Sequence, residues 1–210
     1  METHQTEAQR TARFAAYIEA RKFDPPRPLL MAAAALVDGK QHALDVGAGA
    51  LNATKYLLSI GFEHVTALDA SLHAQKIAEE LLHEKVTFVL SRFEYFKFLP
   101  EHYDLINAEF SLPFISSEHF ASTFNKLLSA IKSGGIFTGQ LFGPNDSWNV
   151  ESSEMTFHTR AAVETYLRDF ELLQFMEEDH PGTTKLGESK HWHIFHIIAR
   201  KTPRQPARGR

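Results

Sequence analysis

From Ala43 to Phe142 the chain repeats one unit: a short apolar run, a turn, then apolar residues at helical spacing. Residues 43–46, 64–68, 86–90, 103–107 and 136–142 read as five strands. Between them, Tyr56, Leu57 and Leu58 mark a helix that stops at Gly61. Ser71 caps another, with Ala74, Ile77, Ala78, Leu81 and Leu82 on one face. Phe120, Phe124, Leu127, Leu128 and Ile131 stripe a third, which Gly134-Gly135 ends. Strands that alternate with helices over short connections imply βαβ units, hence a mostly parallel sheet covered on both faces. The expected fold class is α/β, doubly wound.

Beyond Phe142 the pattern changes. Thr159 caps a helix carrying Ala162, Val163, Tyr166 and Leu167. Residues 170–177 and 191–199 then read as two longer strands joined by His180-Pro181-Gly182, with no helical pattern between them, so they pair as an antiparallel edge hairpin. At the other end, Phe14, Tyr17 and Ile18 repeat at helical spacing before Phe23-Asp24-Pro25-Pro26 breaks the chain. Pro28 opens a second helix striped by Leu29, Ala32, Ala33, Leu36 and Val37, and Asp38-Gly39 closes it.

Composition limits what such a chain does. Its 210 residues suit one domain with modest additions, and the absence of Cys removes disulfides, thiolate metal sites and thiol nucleophiles together. A net charge of −4 gives no global pull toward nucleic acid or anionic lipid. No window approaches the roughly 20 apolar residues of a membrane helix, and residues 1–13 have no signal-peptide core. The expectation is a soluble, cytoplasmic protein.

The first strand runs into Leu44-Asp45-Val46-Gly47-Ala48-Gly49. Gly47 and Gly49 let backbone approach a ligand without Cβ clashes, at the start of a helix. Gly-x-Gly alone is also a common tight turn. Asp69 adds a second signal, because it ends the next strand, where a carboxylate accepts hydrogen bonds from two ribose hydroxyls. Taken singly, such an acid is also a helix cap or a solvated charge. The dinucleotide fingerprint places a third glycine where this chain has Asn52, and Asp45 inside the strand suits a cation better than a pyrophosphate. These residues favour a sulfonium nucleoside over NAD and leave an NAD-dependent oxidoreductase as an alternative.

The sequence resembles the class I S-adenosylmethionine-dependent methyltransferases. Ala43-Leu44-Asp45-Val46-Gly47-Ala48-Gly49 is similar to their first motif and Val65-Thr66-Ala67-Leu68-Asp69-Ala70-Ser71 to the segment after it. Tyr103-Asp104-Leu105-Ile106-Asn107-Ala108 resembles the fourth-strand motif, and residues 127–137 the helix-turn-strand with its glycine pair. Within the class, small-molecule and tellurite-resistance-like enzymes look nearest. The resemblance implies a seven-stranded, Rossmann-like sheet over residues 41–201, a helical lid over residues 1–40 and a disordered basic tail at 202–210. It implies S-adenosylmethionine as cofactor and S-adenosylhomocysteine as product. Gly47, Ala48 and Gly49 would line the methionine part, Asp45 its amino group, Asp69 the ribose and Ala70 the adenine. Arg92-Phe93 stands where the family often has an acid and an aromatic, so Phe93 would stack beside the adenine. Asn107 and Ala108 would line the pocket at the end of the fourth strand.

Methyl transfer asks little of side chains, because alignment of the nucleophile carries most of the rate. A base matters only where the acceptor must lose a proton. Glu109 is the best-placed carboxylate, in Asn107-Ala108-Glu109-Phe110, which partly matches the Asn-Pro-Pro-aromatic motif of enzymes acting on planar amino groups and is otherwise an ordinary loop. His158 is a second base candidate. Phe110, Phe114, Phe142 and Trp148 follow strand ends and form either an apolar acceptor wall or core packing. Arg27, between prolines, either meets the methionine carboxylate or is exposed. His191 and His193 share a strand face with no third ligand fixed, so no metal is expected. The function expected is methyl transfer to a small-molecule acceptor by direct displacement, with no nucleic-acid or membrane partner and the oligomeric state open. The alternative is a methyltransferase-like module that binds the cofactor without catalysis.

Overall fold

The computed structural model describes residues 7–81, 83–150 and 153–203. Seven strands form one sheet: β1 His42–Val46, β2 His64–Asp69, β3 Val86–Leu90, β4 Tyr103–Ala108, β5 Ile131–Phe142, β6 Phe170–Thr183 and β7 Ser189–Lys201. Their order is β3-β2-β1-β4-β5-β7-β6. The first five are parallel, and β7 lies antiparallel between β5 and β6. The helices are α1 Glu7–Arg21, α2 Pro28–Ala34, α3 Asn52–Ser59, α4 Leu72–Leu81, α5 Ser117–Ala130 and α6 Arg160–Tyr166. The doubly wound α/β fold with a closing hairpin is therefore present.

The middle strands are apolar on both sides because both sides carry helices. Phe120, Phe124 and Leu127 of α5 pack with Leu44, Ile106 and Phe137, while Leu30 and Ala33 of α2 and Leu57 of α3 pack with Ala43, Leu105 and Ile136. Ile18 of α1 joins a third cluster with Ala48, Leu51, Ala74 and Ile77. Ser71 Oγ accepts from the His73 N–H at 3.2 Å, and Thr159 Oγ1 from the Ala162 N–H at 3.3 Å, as the caps predicted.

Five features differ from the sequence reading. The buried face of α2 is Leu29, Leu30, Ala33 and Ala34, leaving Ala32 exposed, and because the helix ends at Ala34 the exposed Leu36 lies beyond it. Helix α5 ends at Ala130, and Ile131 already pairs with Tyr103. The ladder then skips to Leu105 and Ile136, so Gly134-Gly135 belongs to a bulge, with Gly134 at φ +78°, rather than to a helix end. Strand β6 continues through His180-Pro181-Gly182, and the hairpin turns later, where Gly187 takes φ +83°. Proline is tolerated there because β6 is an edge strand, and Gly182 leaves room for the Trp192 ring, 2.9 Å from where a Cβ would stand. Between β3 and β4 runs a 3-10 turn, Phe93–Tyr95, and extended chain instead of a helix. One sheet face there is a groove lined by His42, His64, Thr66, Thr87 and His102.

Leu82, residues 1–6 of the expected lid and the tail from Arg204 lie outside the described residues. Thr202 is held by hydrogen bonds to the Asp169 carbonyl. Among the described residues no helix is long and apolar enough to cross a membrane, and no group of three or more His, Asp or Glu is arranged to hold a metal ion.

Candidate active site

Where β1 and β2 end side by side, two turns meet. Gly47 and Gly49 adopt φ +78° and +50°, which glycine alone takes freely, and the N–H groups of Gly47 and Ala48 both donate to the Leu68 carbonyl. A Cβ on Gly47 would stand 2.5 Å from Ser111 Cβ, so this turn needs both the conformation and the missing side chain. Asp69 joins the turns by accepting from the N–H groups of Gly49 at 2.9 Å and Ser71 at 2.8 Å. Parallel register sets Asp45 opposite Asn107, whose Nδ2 donates to it at 2.9 Å, while Thr54 Oγ1 donates at 2.7 Å. Asp45 is 2% exposed.

A third carboxyl lies just past β4. Burial pushes Glu109 up to about 7, and the nearby Asp45 charge adds to the rise. Arg27, the Gln140 side chain and the Leu30 N–H act the other way. Glu109 Oε1 is buried without a hydrogen-bond partner. Burial also raises Asp45, which feels the charge of Asp69, and raises Asp69 itself. Three desolvated acids thus stand at the adjoining ends of β1, β2 and β4. Arg27 is half-buried, its guanidinium 4.3 Å from the Phe110 ring centroid and 3.2 Å from the Tyr17 hydroxyl. A ligand bearing positive charge lowers the cost of keeping these carboxylates out of water.

Residues 43–135 match the family described as a methyltransferase domain. The fold of the chain is shared with TehB from Haemophilus influenzae, at 18% identity and a TM-score of 0.72 over 90% of this chain and 67% of that one. It is similar to the N-methyltransferase NodS from Bradyrhizobium japonicum, solved with S-adenosyl-L-homocysteine, at 14% identity and a TM-score of 0.69 over 93% of this chain and 98% of that one. A third such structure is the 1,6-didemethyltoxoflavin-N1-methyltransferase of Burkholderia thailandensis, with bound 1,6-didemethyltoxoflavin and S-adenosylhomocysteine. The two share 18% identity and a TM-score of 0.59 over 97% of this chain and 94% of that one. No curated protein matches the chain.

Phe93 reaches the glycine turn, its Cζ 3.6 Å from the place of a Gly47 Cβ, whereas Arg92 turns to solvent and pairs with Glu94 at 2.7 Å. Ala70 is exposed beside Asp69, and Ala108 is buried at the end of β4. Helix α1 covers the turn through Ile18, 3.8 Å from where a Gly49 Cβ would be. Arg13 of α1 pairs with Glu188, and Asp24 with Lys185 at 3.1 Å, so the tip of the β6–β7 hairpin grips the N-terminal segment.

The aromatic residues divide into two sets. Phe114 meets Phe14 of α1 at 5.3 Å between centroids and reaches solvent. Phe142, 1% exposed, and Trp148 instead surround a resident cation. Lys190 Nζ lies 3.8 Å from the Trp148 centroid, 4.4 Å from Trp192 and 5.4 Å from Phe142, and pairs with Asp146. His158 packs 4.2 Å from the Phe120 ring centroid and beside Tyr166, and burial holds it down to about 4. That environment keeps it neutral and apart from the three acids. His191 and His193 are each taken by an acid, Asp179 at 2.6 Å and Glu177 at 2.9 Å. Sequence reasoning did not single out Ser111, Gln140 or Lys190, and for Lys190 no signal existed: a lysine in a strand reads as solvated until the partner at Asp146 is known.

Proposed function

We propose that this chain transfers a methyl group from S-adenosylmethionine to a small-molecule acceptor by direct displacement. The observation that carries the reading is that three buried acids, Asp45, Asp69 and Glu109, stand at the adjoining ends of β1, β2 and β4, with Asp69 bonded to Gly49 of the glycine turn. That is an environment for a cationic nucleoside and a poor one for a pyrophosphate. S-adenosylhomocysteine in two of the similar structures, and the 1,6-didemethyltoxoflavin bound in one of them, support it.

The bound cofactor supplies a methyl group on a sulfonium, an electrophile that needs no further activation. Asp69 takes the ribose hydroxyls on the lone pairs its two backbone donors leave free. Asp45, fixed by Thr54 and Asn107, holds negative charge under the cationic end. Glu109 accepts the proton that an N–H or O–H acceptor gives up as its bond to the methyl group forms, using the unpartnered Oε1. Residues 7–34 act as the lid that excludes water, and Phe110 and Phe114 flank the acceptor.

Isothermal titration with S-adenosylmethionine, S-adenosylhomocysteine and NADH tests the cofactor. The first two should bind and NADH should not. Asp69→Ala should weaken binding at least tenfold, the order expected for hydrogen bonds to a charged group, while circular dichroism stays unchanged. Unaltered affinity in that variant contradicts the site. A methyl-acceptor screen on the same protein then separates turnover from binding alone.

A further inference from the structure

Behind Glu109 stands a chain of polar side chains that the transfer reaction does not by itself require. Gln140, on β5 and 1% exposed, faces the site from the sheet. Its Oε1 accepts the Phe110 N–H at 3.0 Å. A backbone N–H only donates, so that contact fixes which end of the amide is oxygen. The amide nitrogen therefore points at His196 Nδ1, 3.4 Å away on β7. Since an amide nitrogen only donates, Nδ1 must carry the lone pair and the ring proton sits on Nε2, which faces Glu178 Oε2 across 3.4 Å. Burial disfavours the charged imidazole, so the ring stays neutral with one nitrogen able to accept.

The Gln140 side chain also stands beside Glu109 and favours its ionised form. Phe110, the residue whose N–H Gln140 holds, takes φ +54°, a left-handed conformation costly for a bulky side chain. One amide thus pins a strained residue and confronts the carboxyl beside it. We propose that Gln140 and His196 are positioning residues for Glu109: His196 sets the orientation of the Gln140 amide, and that amide holds the Phe110 turn, and with it the adjoining Glu109 carboxyl, in its working geometry. This rests on Glu109 being the acceptor-side base of the proposed function.

The groups facing Glu109 are Arg27 and the Leu30 N–H from α2, Asp45 from β1 and Gln140 from β5. His196 and Glu178 act through Gln140. Removing the Gln140 donor leaves burial and Asp45 less opposed, so Glu109 should hold its proton to higher pH. The experiment is a carbon-13 NMR titration of the Glu carboxyls in the full chain, with Glu109 assigned by its absence in Glu109→Gln. A resonance titrating near 7 is expected in the unaltered protein. In Gln140→Met and in His196→Leu it should move up by about half a pH unit or more, and His196→Asn, which restores an acceptor facing Gln140, should return it. S-adenosylmethionine affinity by calorimetry should hold within about twofold in His196→Leu, because neither positioning residue lies on the glycine turn.

If no carboxyl resonance near 7 disappears in Glu109→Gln, the role of Glu109 itself fails. If that resonance is present but unmoved in both Gln140→Met and His196→Leu, the positioning roles fail while Glu109 stands. Should Gln140→Met not fold, the two His196 variants, at a less buried position, decide the matter.

Discussion

Asn52 Nδ2 donates to the carbonyl oxygen of Arg21 at 2.7 Å, so the residue that begins α3 also closes the C-terminus of α1. The Arg21 carbonyl at the helix end accepts the Asp24 N–H at 2.9 Å, and Asn52 adds a second donor from across the turn. The position where a dinucleotide fingerprint carries glycine is thus used to fasten the covering helix to the turn it covers. Asn52→Ala should cost about 1 kcal/mol or less of stability. Amide exchange in α1 should quicken severalfold while that of β1 and β4 does not. Equal acceleration across all three elements contradicts the clamp.

Gly47 and Gly61 both have positive φ, but only Gly47 is crowded, with Ser111 Cβ 2.5 Å from the missing Cβ, whereas nothing lies within 4 Å at Gly61. Alanine at Gly61 should cost only the conformational strain, about 1 kcal/mol. At Gly47 the clash adds to that, for about 2–4 kcal/mol and a clearly lower Tm. Thermal melts of the two variants check the order; equal losses contradict it.

Lys190 and Asp146 are both fully buried at their side chains, with the ammonium boxed by Trp148 and Trp192. Asp146→Ala strands a charge in that box and should cost about 3–5 kcal/mol. Lys190→Met together with Asp146→Leu removes both charges and should recover much of it. Urea denaturation of the single and double variants reads the difference, and a double variant as weak as the single one rejects the explanation.

Two buried groups tilt stability against pH in opposite directions. His158, held down to about 4, binds fewer protons folded than unfolded between about 4 and its ordinary value near 6.5, so it adds stability as pH rises through that window. Glu109, pushed up to about 7, binds more protons folded than unfolded between its ordinary value near 4.3 and about 7, so it removes stability over that range. Urea midpoints from pH 4.5 to 7.5 should therefore rise less steeply in His158→Phe than in the unaltered protein, and more steeply in Glu109→Gln. Parallel profiles in all three proteins contradict both assignments.

The fold was legible where period and punctuation agreed. The β1–α3–β2–α4 unit follows from short apolar runs, glycine at the turn and Ser71 at the cap, all local signals. Pro181-Gly182 misled because a turn signal on an edge strand costs nothing, so long-range pairing with His191 and Lys190 overrides it. Gly134-Gly135 misled because a bulge and a helix end ask for the same residue. At the site, Asp45, Gly47 and Asp69 were visible since strand ends and spacing fix them. Gln140 and Ser111 were not, because each acts by a contact made across strands far apart in sequence. Arg27 read equally well as exposed, and only the ring of Phe110 beneath it shows otherwise.

The grip of Glu188 on Arg13 joins residues 175 positions apart. A ribosome that has made every strand through β5 has already built the glycine turn and its acids, yet the hairpin tip that holds α1 over them is still to come. The cover over the turn is in this sense completed after the turn itself. On opening, α1 gives up its exposed ion pairs, each about 1 kcal/mol or less, together with the burial of Ile18 and the Asn52–Arg21 hydrogen bond, while the sheet stays whole.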